Sequence, residues 1–86
     1  MDTHTTTRTA KMPASSVDRL LAAKPADLDA WTTTVRRGIL AARRDGQTRY
    51  IGHTATGYFI ETDGTVANLA ALRFVAYGDG TVHQPT

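Results

Sequence analysis

The sequence predicts an α+β domain with two N-terminal helices packed on one antiparallel meander of four or five strands. Three observations carry this reading. Residues 14–46 repeat their apolar positions at helical spacing, while residues 47–84 are rich in Thr, Tyr, Ile, Val and Phe, with glycine at short intervals. The chain's 86 residues suffice for one small domain, here assigned to 14–86. No internal repeat is present. The two copies of "DGTV" read as two turns between strands.

Residues 1–13 contain five threonines, end in Pro13 and lack the apolar area that would offset ordering entropy, so they are expected to form a flexible tail. The first helix should start at Ser15, with Asp18 three residues on in a variant of the capping box. Val17, Leu20 and Leu21 supply its apolar face, and it should end near Lys24. Pro25 suits the first position of a second helix, and Asp27 and Asp29 suit its positively polarised first turn. Gly46 is the expected C-cap, so this helix spans about 25–45. Its core stripe is Leu28, Trp31, Val35, Ile39 and Ala42.

Strand signals follow. "QTRYIGHT" alternates, with Tyr50 facing away from Arg49 and Ile51; "TATG" is a turn; "YFIET" is the next strand. Asp63-Gly64 carries the signature of a two-residue type I′ hairpin. The stretch "VANLAAL" breaks the alternation and suits either a helical turn or a bulge, with a strand from Leu72 to Tyr77. "GDG" then turns the chain into a short final strand, "TVHQ".

Composition excludes several classes of function. No apolar run approaches the roughly 20 residues of a membrane span, so no membrane association is expected. Without cysteine there is no disulfide and no thiolate nucleophile. The N-terminus has no apolar segment typical of a secretory signal, and a cytoplasmic setting is expected. A zinc site would have to gather His4, His53 and His83 from the tail and two strands, without any close ligand spacing. Ser15 and Ser16 sit at a helix start rather than in a nucleophile elbow. Glu61 is the sole glutamate, and the aspartates fall in caps and turns, leaving no carboxylate pair. The glycines match no phosphate loop. The chain is therefore expected to be no enzyme and to use no cofactor and no metal.

What the sequence does offer is basic charge in one place. Arg36, Arg37, Arg43 and Arg44 crowd into "VRRGILAARRDG", although the net charge is only +2. On a helical wheel Arg36 and Arg43 share one flank, Arg37 and Arg44 lie opposite the core stripe, and Leu40 sits between the pairs. Cations at a helix C-terminus stabilise it, and arginine stems cover apolar surface, so part of the cluster has a structural explanation. The rest suits a contact surface, because a guanidinium fork binds carboxylates or phosphates in bidentate fashion. An apolar anchor ringed by arginine favours a protein partner.

The candidate partner-binding residues are therefore Arg36, Arg37, Leu40, Arg43, Arg44 and Arg49. The alternative is a nucleic-acid binder, with the arginines on phosphates and Tyr50 or Tyr58 stacking on bases. A homodimer is a further expectation, since it would enlarge a small buried core. In format, a short cysteine-free domain with one basic face and no active-site motif resembles small regulators and inhibitors from phages and mobile elements, including anti-CRISPR proteins. That resemblance implies stoichiometric inhibition or regulation of a protein.

Overall fold

The computed structural model describes residues 9–64 and 69–85. In chain order the elements are β1 (Thr9–Lys11), α1 (Ala14–Ala22), a 3-10 turn (Pro25–Asp27), α2 (Ala30–Asp45), β2 (Arg49–Thr54), β3 (Gly57–Glu61), a second 3-10 turn (Leu69–Ala71), β4 (Leu72–Ala76) and β5 (Val82–Pro85). The fold is α+β, as the sequence predicts. Among the described residues five strands form one sheet in the order β1-β5-β4-β2-β3, with every neighbouring pair antiparallel.

Two features depart from the expected layout. Thr9–Lys11, assigned from the sequence to the flexible tail, form the edge strand β1 on β5, and the next amide, Met12 N–H, donates to the Val82 carbonyl at 2.8 Å. The helices therefore follow a strand. The driving force is an open β5 edge whose backbone groups would otherwise lack partners, together with Met12 packing against the core.

The second departure concerns the joint between β3 and β4. These strands flank β2 on opposite sides, so the segment 62–71 crosses from one to the other instead of forming a hairpin at Asp63-Gly64. Residues 65–68, which would complete that turn, lie outside the described residues. β2 becomes a central strand, consistent with the complete burial of Ile51. The ambiguous stretch before β4 contains the helical turn Leu69–Ala71.

Local signals position the helices. α1 starts at Ala14 with Pro13, not Ser15, as its N-cap; the Pro13 carbonyl accepts from the amides of Ser16 and Val17 at 3.0 and 3.3 Å, and no side chain caps the helix. Pro25 opens a separate 3-10 turn that ends as Leu28 becomes extended. α2 starts later than expected, at Ala30, because Asp29 takes the N-cap position, its Oδ1 accepting from Thr32 N–H at 2.7 Å. Gly46 caps the other end in the left-handed conformation expected from the sequence, with φ of 73°.

Both faces of the sheet bury apolar side chains. Val17 from α1 and Val35, Ile39 and Ala42 from α2 pack on Ile51, Ala76 and Val82, with Ile60 and Phe74 at the margin. Full burial of a Val or Ile side chain contributes about 1.5–3 kcal/mol, so this layer holds the helices in place. A Cβ at Gly38 would lie 2.4 Å from Ile51 Cδ1, which shows how closely α2 approaches β2. Leu72, Ala71 and Val75 are also buried. Val75 pairs with His83 and Tyr50, placing it on the face away from α2.

Candidate functional site

The arginine cluster occupies α2, whose core stripe fixes which way each guanidinium leaves the helix. Three of the candidate arginines are engaged within the fold. Arg36 Nη2 donates to the Leu21 carbonyl near the end of α1 at 3.3 Å, and its Nε is buried with no hydrogen-bond partner among the described residues. Arg43 Nη2 donates to the Gly80 carbonyl in the β4–β5 turn at 2.9 Å. Arg49, at the start of β2, pairs with Asp45 at the end of α2 and donates to the Gln47 carbonyl at 2.9 Å.

That last pair has an electrostatic consequence. The hydrogen bond from Arg49 holds the Asp45 carboxyl below its ordinary value of 3.8, helped by the Gln47 amide, opposed by desolvation, and helped to a lesser extent by the charges of Arg49 and Arg44. Only 12% of the Arg49 side chain is exposed. It joins α2 to β2.

Arg37 and Arg44 differ from these three. Neither makes a hydrogen bond or an ion pair among the described residues, and both are exposed. Seven residues place them about 10 Å apart along the helix axis. Between them stands Leu40, 40% exposed. With Thr33, Arg36 and Ala41 these residues line a shallow groove of about 290 Å³. Within the predicted strip, Arg37, Leu40 and Arg44 face solvent, while Arg36, Arg43 and Arg49 hydrogen-bond within the fold, Arg43 also being exposed.

The sequence reading did not find a second group of side chains, on the sheet side of α2. Trp31 from the first turn of α2 touches His53 (ring centroids 5.7 Å), Tyr58 (5.2 Å) and Phe74 (6.1 Å), and His53 touches Tyr58 (5.0 Å). Part of the signal was available: His53 follows Ile51 by two residues and therefore shares its face. Tyr58 is 43% exposed, and it and Leu40 are the exposed large hydrophobic side chains among the described residues.

His53 and His83 lie on opposite faces of the sheet, His83 stacking edge-on against Tyr77. His4, the third histidine considered as a ligand, lies outside the described residues. Among the described residues no helix is long and apolar enough to cross a membrane. Comparison with known proteins finds no matching family, no matching curated protein and no matching solved structure.

Proposed function

We propose that this chain is a small non-catalytic binding protein, a regulator or inhibitor that acts by stoichiometric contact with a protein partner through Arg37, Leu40 and Arg44. One observation carries the proposal. The fold uses the guanidiniums of Arg36, Arg43 and Arg49 internally, whereas Arg37 and Arg44, on either side of an exposed leucine, have no hydrogen-bond or ion-pair partner among the described residues. A complementary surface presents an apolar side chain to Leu40 and carboxylates about one helical turn to either side, where each arginine can bind in bidentate fashion.

A protein partner is preferred to nucleic acid because, among the described residues, two guanidiniums on this face are without a hydrogen-bond or ion-pair partner, whereas phosphate binding gains affinity with each contact added. The non-catalytic reading draws on the carboxylates. Asp29, Asp45 and Asp79 each serve a cap or a turn, and hydrogen bonds hold each below the ordinary carboxyl range, the reverse of what a general acid needs.

The test is a pull-down from cells that naturally contain the chain, run with and without nuclease and comparing wild type with the folded Arg37→Glu/Arg44→Glu variant. The expected result is a stoichiometric protein retained by wild type and lost by the variant. Recovery of nucleic acid alone, steeply dependent on salt, would overturn the proposal.

A further inference from the structure

The aromatic group beneath α2 borders a cleft of about 380 Å³ lined by Trp31, His53, Arg73, Phe74 and Gln84. This volume lies at the lower end of the range for small-molecule sites. An irregularity in the sheet helps to build it. Ile51 pairs with Phe74 but Gly52 pairs with Leu72, so Arg73 is the extra residue of a bulge. In a regular strand Arg73 would point away from the face that carries Phe74; the bulge re-aims it, and both side chains line the cleft. Arg73 Nη1 donates to the carbonyls of Leu72 and Ala70 at 3.1 and 3.4 Å, which ties the guanidinium to the backbone at the start of β4.

We infer that this cleft binds a small planar aromatic anion, whose ring lies on the Trp31–His53–Phe74 surface and whose charged group meets Arg73. The rings touch one another, so the ligand stacks on their exposed surface and is not held between them. Gln84 supplies an amide that can pair with a polar ring edge. Two sources share this chemistry: an aryl carboxylate, which leaves Gln84 unused, and a nucleoside monophosphate, which uses all five side chains. Trp31 and Leu40 are nine residues apart, about 180° around α2, so the cleft faces away from the Arg37–Arg44 groove and is a separate site.

Trp31 is the only tryptophan, so its indole N–H resonance reports on the cleft alone. Titrating the isotope-labelled protein with adenosine monophosphate, 2-naphthoate and uncharged adenosine tests the inference. At least one anion should shift the indole signal saturably and bind about tenfold more tightly than adenosine, roughly the effect of one charge-assisted contact. Arg73→Gln should remove that advantage, while Lys24→Gln, an exposed charge elsewhere, should preserve it. Tighter binding of the monophosphate, weakened by Gln84→Ala, assigns the nucleotide source; tighter binding of naphthoate, indifferent to Gln84→Ala, assigns the aryl acid. No saturable shift with either anion, or equal binding of anion and adenosine unchanged by Arg73→Gln, overturns the inference.

Discussion

The backbone of Gly78 lies directly against that of Gly46: a Cβ on Gly78 would fall 2.2 Å from the Gly46 carbonyl oxygen and 2.4 Å from its carbonyl carbon. This contact seats the β4–β5 turn on the C-cap of α2, the end of the helix that carries Arg43 and Arg44. Backbone cannot yield as a flexible side chain can. Gly78→Ala is therefore expected to lower unfolding free energy by about 2 kcal/mol in urea denaturation, the scale of an overpacked core. Unchanged stability would show that the turn moves freely on α2.

Neighbouring arginines should behave differently. Arg43 reaches the Gly80 carbonyl, whereas Arg44 makes no hydrogen bond among the described residues. Arg43→Ala is expected to cost about 0.5–1 kcal/mol, and Arg44→Ala to stay within about 0.5 kcal/mol of wild type. Denaturant midpoints measured side by side decide it, and equal losses would contradict the division between arginines that hydrogen-bond within the described fold and those that do not.

Acid should destabilise the fold through its hydrogen-bonded carboxylates. Asp45, Asp29 and Asp79 are each lowered from 3.8, by hydrogen bonds from Arg49, Thr32 and Thr81 respectively. A depressed folded-state value means that the unfolded chain binds protons first. The stabilisation is thus complete above the ordinary carboxyl range and is lost as pH falls through 3.8 and below. Tm should hold steady from neutral to about pH 5 and then fall, with a shallower fall in Asp45→Asn. Parallel curves for variant and wild type would remove Asp45 from the account.

Much of this architecture was legible in the sequence. Val35, Ile39 and Ala42 recur at helical spacing and are buried, and Gly46 marks the end of α2. Leu72 starts β4, as the return of alternation predicts. β1 was not legible, because three residues carry no measurable period and their partner strand lies at the far end of the chain. The β3–β4 crossover was hidden for a related reason: Asp63-Gly64 is a local turn signal, and strand order is decided by which strand the core buries.

The candidate surface was legible in outline only. Helical spacing places Arg37, Leu40 and Arg44 on one outward face. It does not show that Arg36 and Arg43 reach the carbonyls of Leu21 and Gly80, which are distant in sequence. The Asp45–Arg49 pair, by contrast, was available from four-residue spacing across the helix end. The cleft at Trp31 depends on a bulge that re-aims Arg73, and alternation alone assigns that residue to the wrong face.

The measurement that bears most directly on the Arg37–Leu40–Arg44 face is site-specific photo-crosslinking. A benzophenone amino acid replaces Leu40, or Ala55 in the exposed β2–β3 turn as a control, in cells that naturally contain the chain. The account predicts one dominant protein adduct from position 40, absent from position 55 and lost when Arg37→Glu and Arg44→Glu are added. Adducts of equal yield from both positions, or an adduct indifferent to the charge reversal, would contradict it.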